Sequence, residues 1–478
     1  MRTLVSPRAV TVTSRLCALG AAALACGTAL FAACNPAAFD ELRDEAGIVV
    51  AEAPDGYARA GYGSVIASFT GVLGGVSVSR LAASAGADSQ TRVYTAWTGS
   101  ALQMDPAAYD LCKDPGDCEA GAGESLSGLT SWRGQALCVA VGGPASDLVL
   151  VRCEDSPSMS IERVMGPSGT QFGASIAVVG DLMFVGAPQA NGGTGAVYAV
   201  NTATGVVLPE IALPSAFTAG VTRIGTQIAA AALPLGGAFL VITAPGTARR
   251  RVLVVEVNAD ATVATPRACL EDLDDANPAF GSVVAVGTLV GFDNVPDVVI
   301  ADDPSLPSRR EEVRIYDGGL VGAASGECPA SSFSYDILPC TDARGVACLG
   351  SGFGSSIAIG DVDGDGDGDL AIGAPEATFD GVSRSGAVWL VPGNGMTLES
   401  TGADVLTDSE PATSARLGTS VAMVETRTNP MSPGMRGEYA QRSEVAAGAP
   451  GSAEVFVFAC SGLSGDGVTA GPRCIPAM

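Results

Sequence analysis

Histidine is absent from all 478 residues, which removes the commonest general base and the commonest transition-metal ligand. Lysine occurs once, at Lys113, and basic side chains total 26 against 51 acidic ones. The formal charge of −25 leaves no basic cluster to displace the counterions of a nucleic acid, so none is expected as a partner. It suits cations, basic partners or plain solubility. Aromatic residues are scarce, at 5%, whereas glycines number 62, a balance that favours turns and close backbone packing. No G-x-S-x-G elbow, H-E-x-x-H pair or phosphate-binding glycine loop occurs, so no catalytic residue is nominated and a non-enzyme is expected. After residue 33 no further run of about 20 apolar residues follows.

The N-terminal segment reads as an export signal. Arg2, Arg8 and Arg15 give a positive start, and Leu16 to Ala33 is uncharged and mostly apolar. The run ends Leu30-Phe31-Ala32-Ala33-Cys34, which resembles the lipobox of bacterial lipoproteins, with Phe31 where leucine is usual. The resemblance implies a signal over 1–33, acylation of Cys34 and a linker over 34–59. The destination would be the outer membrane or cell surface, with a membrane contact only through the lipid. An ordinary cleaved signal, leading to a periplasmic or secreted protein, and a retained anchor helix are the alternatives. Beyond this segment ten cysteines remain, an even number that an exported chain uses for disulfides. Cys138 and Cys153 stand equally far from the turn signal Pro144-Ala145-Ser146-Asp147, flanked by ALCVAV and LVLVRC, so a hairpin would place them opposite each other. Cys112 with Cys118 and Cys340 with Cys348 are close enough to pair locally.

A three-part pattern recurs along the chain. Phe353-Gly354-Ser355-Ser356-Ile357-Ala358 leads to Ile372-Gly373-Ala374-Pro375 and then AVWLV. Phe172-Gly173 leads likewise to Gly186-Ala187-Pro188 and GAVYAV. Ile224-Gly225, Phe280-Gly281, Leu417-Gly418 and Tyr62-Gly63 open further copies, and a weaker one lies at Leu126 to Cys153. The starts are 46 to 73 positions apart. Each copy holds three short β-type runs with room for a fourth, and none shows a helical period. One unit cannot bury its own apolar faces, but units arranged radially bury them against each other.

The paired Phe-Gly and Gly-Ala-Pro signatures resemble the FG-GAP repeat of the integrin α-chain propeller and of bacterial cell-surface proteins. The resemblance covers about residues 60–460. It implies an all-β, seven-bladed propeller of four-stranded blades, with calcium in the hairpin loops of some of them. A C-terminal tail, 461–478, would follow.

One such loop stands out: GDVDGDGDGDLAIGAP. Asp361, Asp363, Asp365, Asp367 and Asp369 occupy every second position, and Gly364, Gly366 and Gly368 free the backbone to curl. Ca²⁺ takes six to eight hard oxygen ligands, which carboxylates at this spacing supply. An EF-hand fails, because Ile372 stands where its bidentate glutamate belongs and the flanks alternate like strands. A second, weaker calcium site falls at Asp293 and Asp297. Arg249-Arg250-Arg251 reads as a solvated hairpin end, and Trp97 and Trp389 as packed between blades. The stretches 105–124 and 320–351 read as long loops, the kind that carry recognition on a rigid scaffold. The function expected is a calcium-binding adhesion or binding module for a protein or glycan. The alternatives are a propeller enzyme acting on polysaccharide or lipid, and a structural envelope component.

Overall fold

The computed structural model describes residues 48–52, 61–73, 76–84, 93–95, 125–153, 161–246, 250–272, 280–290, 295–302, 306, 311–322, 335–340, 350–362, 366–393, 398, 403–427, 441–458, 460–461 and 473–474. Strands dominate. A five-residue strand, β1 (Ile48–Glu52), comes first. Sheet 1 follows, with β2 (Val65–Leu73), β3 (Val76–Ser84) and β4 (Val93–Thr95). Blade 2 holds β5 (Ser125–Trp132), β6 (Gln135–Gly143), β7 (Leu148–Cys153) and β8 (Glu162–Met165). Blade 3 holds β9 (Ile176–Val179), β10 (Leu182–Ala187), β11 (Ala196–Asn201) and β12 (Val206–Glu210). Blade 4 holds β13 (Ile228–Ala232), β14 (Ala238–Ala244), β15 (Arg251–Val257) and β16 (Ala264–Leu270). Blade 5 holds β17 (Val283–Gly287), β18 (Asp297–Ala301), β19 (Glu312–Tyr316) and β20 (Tyr335–Pro339). Blade 6 holds β21 (Ser356–Gly360), β22 (Asp369–Ala374), β23 (Ala387–Val391) and β24 (Asp404–Leu406). Blade 7 holds β25 (Ser420–Arg427), β26 (Gln441–Ala449) and β27 (Glu454–Phe458), and the short pair β28 (Cys460–Ser461) and β29 (Arg473–Cys474) ends the chain.

Every blade is an antiparallel meander, and the first strand of each packs on the first strand of the next. The contacts run from β2 through β5, β9, β13, β17, β21 and β25 and return to β2, so the sheets close into a ring. The expectation of seven four-stranded blades needs correction. Six blades are four-stranded, whereas the first repeat forms only the three-stranded β2–β3–β4 among the described residues. The fourth strand of blade 7 comes from the other end of the chain: β1 pairs with β27, Ile48 opposite Phe458 and Glu52 opposite Glu454. Residues 48–52, expected within a linker, are therefore part of the ring. Pairing them covers an edge that β27 would otherwise leave open. A second correction concerns 320–351, expected as a loop, which contains β20. Its Tyr-Asp-Ile-Leu-Pro run pairs with all of β19.

The burial pattern explains why the repeats read as they do. Second and third strands are covered on both faces by neighbouring blades, so β10, β14, β18 and β22 are buried throughout and carry nearly unbroken apolar runs. First strands face the ring interior and are rich in alanine, valine and isoleucine. Each boundary between sheets has its own apolar cluster. Phe184 and Val197 of blade 3 meet Leu240 and Leu253 of blade 4. Phe239 and Val254 on the opposite face of blade 4 meet Val298 and Ile300 of blade 5. Phe353 and Trp389 pack edge to face with centroids 5.8 Å apart, and Trp389 is buried as expected. Truncating a fully buried phenylalanine such as Phe184 would cost about 3–5 kcal/mol.

Candidate functional site

The Phe-Gly and Gly-Ala-Pro signatures meet at the boundaries between blades. Each Phe-Gly glycine adopts a left-handed backbone, for example Gly173 at φ 99° and Gly418 at φ 85°. Its N–H donates within its own blade, Gly173 to Gly186 O at 3.1 Å and Gly418 to Gly448 O at 3.0 Å. Its carbonyl faces the preceding blade, where a serine hydroxyl donates to it. Ser125 reaches Gly173 O at 2.8 Å and Ser175 reaches Gly225 O at 2.9 Å. Ser356 reaches Gly418 O at 2.9 Å, and Ser420 reaches Gly63 O at 2.7 Å. The Gly-Ala-Pro glycine lies against the same carbonyl. A Cβ on Gly186 would stand 1.9 Å from Gly225 O, and one on Gly373 would stand 2.0 Å from Gly418 O. Only glycine fits there.

This relay explains the motif and its exceptions together. In blade 4, Gln227 and Thr243 replace the serine and glycine, and Thr243 Oγ1 instead accepts the N–H of Gln227 at 2.9 Å. In blade 5, Val283 and Ala301 occupy the two positions, opposite each other in the β17–β18 ladder. Those boundaries rely on apolar contact, whereas four others add a buried or half-buried hydrogen bond worth about 1 kcal/mol each.

The Phe-Gly and Gly-Ala-Pro ends share one rim of the ring. The β21–β22 connection, with the alternating aspartates, lies on the other, called here the aspartate rim. Asp361 accepts the N–H of Gly366 at 3.0 Å, and Gly366 has φ 94°. The carbonyl of Asp361 accepts the N–H of Ser443 at 2.6 Å, tying this loop to blade 7. Asp367 is half-buried beside it. Asp363 and Asp365 lie outside the described residues.

Asp369 does more than its expected place in a ligand set. It is fully buried, with Oδ2 accepting Val362 N–H at 2.7 Å and Oδ1 accepting Gly393 N–H at 2.9 Å. Asp297, from the weaker expected site, holds the same position at the start of the second strand of blade 5. It is also fully buried and accepts N–H groups of Leu289, Val290 and Gly318 at 2.7, 2.8 and 2.8 Å. Burial pushes its carboxyl up to about 6, against the pull of those three amides. Asp293 lies outside the described residues. The two aspartates are backbone clamps, each joining its hairpin loop to a glycine after its third strand. The signal available in the sequence is an aspartate directly before a fully apolar strand. Among the described residues no three acidic or sulfur side chains cluster closely enough to hold a metal.

The remaining expected positions divide. Cys138 and Cys153 face each other across β6 and β7 and form a disulfide, with Cα atoms 4.0 Å apart. Cys340 is disulfide-bonded, as is Cys269, which had no expected partner. Cys348, Cys112, Cys118 and Trp97 lie outside the described residues. Arg251 is not a solvated hairpin end. It is buried, pairs with Glu271, and donates to the carbonyls of Ala216, Phe217 and Ala219 at 3.1–3.2 Å, capping a short helical turn over Ser215–Thr218. Trp132, at the end of β5, donates its indole N–H to Glu162 at 3.0 Å.

A ring of antiparallel blades held by Phe-Gly and Gly-Ala-Pro signatures defines a β-propeller of repeat type. The family model described as FG-GAP repeat matches residues 353–391, the whole span from Phe353 to the end of β23. The chain is a β-propeller that carries an FG-GAP repeat. No curated protein sequence matches it.

Proposed function

We propose that this chain is an exported binding module that engages a protein or glycan outside the cytoplasm through loops carried on its ring. The observation that carries the reading is the locked ring itself. Four serine-to-glycine hydrogen bonds, a hairpin disulfide and an N-terminal strand closing blade 7 make a stiff scaffold with connections on both rims. Recognition residues are disproportionately carried on loops of such scaffolds. The disulfide supports an oxidising compartment. The signal at 1–33 and the Leu30–Cys34 sequence support attachment to a membrane through an acylated Cys34.

Calcium belongs to the same proposal. The Asp361–Gly366 hydrogen bond and the place of Asp369 at the start of β22 support an ion bound by Asp361, Asp363, Asp365 and Asp369, with Asp367 contributing its carbonyl or side chain. The ion would neutralise a loop whose carboxylates otherwise repel each other. Its role here is structural, fixing one hairpin and, through the Asp361–Ser443 bond, the boundary with blade 7. The blade 5 loop supports no such site as strongly, because Asp297 is already engaged by three amides.

A binding screen of the purified protein against glycans and envelope proteins, with and without Ca²⁺, tests the reading. Saturable binding to one class supports it. Turnover of a polysaccharide or ester without saturable binding would replace it with an enzyme.

A further inference from the structure

The two rims are not equivalent with respect to the chain's entry point. β1 runs antiparallel to β27, and Phe458 ends β27 on the side of the β25–β26 connection, which is the aspartate rim. Ile48, opposite Phe458, therefore starts β1 on that rim, and Glu52 ends it on the Phe-Gly rim. Residues 35–47, thirteen positions, separate Cys34 from Ile48. Fully extended they reach roughly 45 Å. The blades are five to nine residues deep, or about 17–30 Å. Placing the Phe-Gly rim against the anchoring surface would force the tether back along the outside of blade 7, consuming up to two-thirds of its reach. Placing the aspartate rim there leaves the tether unencumbered.

A second observation points the same way. Among the described residues five large apolar side chains are exposed: Val206, Leu235 and Val263 at hairpin ends of blades 3 and 4 on the aspartate rim, Met165 alone at a strand end on the Phe-Gly rim, and Ile337 within β20. Leu235 is wholly exposed at the tip of the β13–β14 turn, where Gly236 N–H bonds Leu233 O at 2.9 Å. Val263 is fixed beside the β15–β16 turn by its N–H to Asn258 Oδ1 at 2.8 Å. Ordered turns thus hold aliphatic groups outward on the face where the tether leaves.

We propose that the aspartate rim lies against the bilayer that holds the anchor, with Val206, Leu235 and Val263 at the headgroup level, and that the Phe-Gly rim faces away. The proposal rests on the acylation of Cys34. Asp181, Asp260, Asp361 and Asp367 share the rim, so the surface it suits is a zwitterionic phospholipid, without the repulsion of anionic headgroups.

The test uses the full lipidated chain in vesicles of phosphatidylcholine whose acyl chains are brominated, a short-range quencher of tryptophan. Leu235→Trp and Val263→Trp probe the aspartate rim, and Thr378→Trp, exposed on the opposite rim, is the control. The expected result is at least twofold quenching of the added emission at 235 and 263 and none at 378. Quenching at 378 alone, equal quenching at all three, or none at any overturns the orientation. Flotation with the vesicles is followed in parallel. If the variants float and Cys34→Ala does not, the anchor stands whatever the quenching shows. If Cys34→Ala floats like the parent, the anchor reading falls and removes the basis for the rim assignment.

Discussion

The hydroxyl of Ser356 in blade 6 donates to the carbonyl of Gly418 in blade 7 at 2.9 Å, and Gly373 lies flush against the same oxygen. Three residues from two neighbouring motif copies thus make one joint. The Phe-Gly glycine supplies the carbonyl, the serine supplies the proton, and the Gly-Ala-Pro glycine supplies the space.

Gly373→Ala should therefore destabilise the fold by about 1–3 kcal/mol, because backbone lies where the methyl group would go. Ser356→Ala should cost about 1 kcal/mol by leaving Gly418 O without this donor. Gly169→Ala meets no neighbouring atom and adds only the left-handed strain of its φ of 75°, about 1 kcal/mol, so it should cost less than Gly373→Ala. Urea unfolding of the three variants orders them. Equal costs for Gly373→Ala and Gly169→Ala would remove the joint as the reason for the motif.

The Cys138–Cys153 disulfide closes a hairpin with a sequence separation of 15. Replacing both cysteines by alanine should cost about 3 kcal/mol, mainly through the unfolded chain. Thermal melting should show the loss under non-reducing conditions, and the parent should lose stability when reduced. A double variant as stable as the parent would contradict a structural role.

Glu444 gives a pH dependence with a definite sign. It lies on β26 with Oε2 buried and without a hydrogen-bond partner, and burial pushes its carboxyl up to about 7. The folded protein therefore holds this proton where the unfolded chain, near 4.5, has lost it. Its contribution is complete below pH 4.5 and is lost as pH rises towards 7, a change of roughly 3 kcal/mol. Glu444→Gln should flatten stability across that window and be the more stable form at pH 8. Parallel pH curves for the two proteins would contradict it.

Much of this architecture is legible in the sequence because the repeat is local. The Phe-Gly run, the Gly-Ala-Pro run and the Cys138–Cys153 register each lie within one blade, where spacing alone decides the pairing. What escapes is non-local. Ile-Val-Val-Ala-Glu at 48–52 has a strand's composition, but nothing near it says that its partner lies some 400 residues away. Ser356 stands in the motif, yet its acceptor belongs to the next blade. Asp297 and Asp369 were legible as acidic loop residues, whereas their roles as amide clamps depend on Gly318 and Gly393, fixed only once the third strand is in place. Arg251 looked solvated in an arginine triplet because its three carbonyl acceptors belong to a turn 32 to 35 residues earlier.

Calcium-dependent melting is the most direct test of the account, because the aspartate loop joins blade 6 to blade 7 and the ion would set both. Titrating Ca²⁺ into the metal-free protein should raise its melting temperature, with about 2.7 kcal/mol gained at a hundredfold excess over the dissociation constant. Asp361→Asn combined with Asp365→Asn should abolish the shift. An unchanged melting temperature in the parent, or an equal rise in the double variant, would contradict calcium binding at this loop.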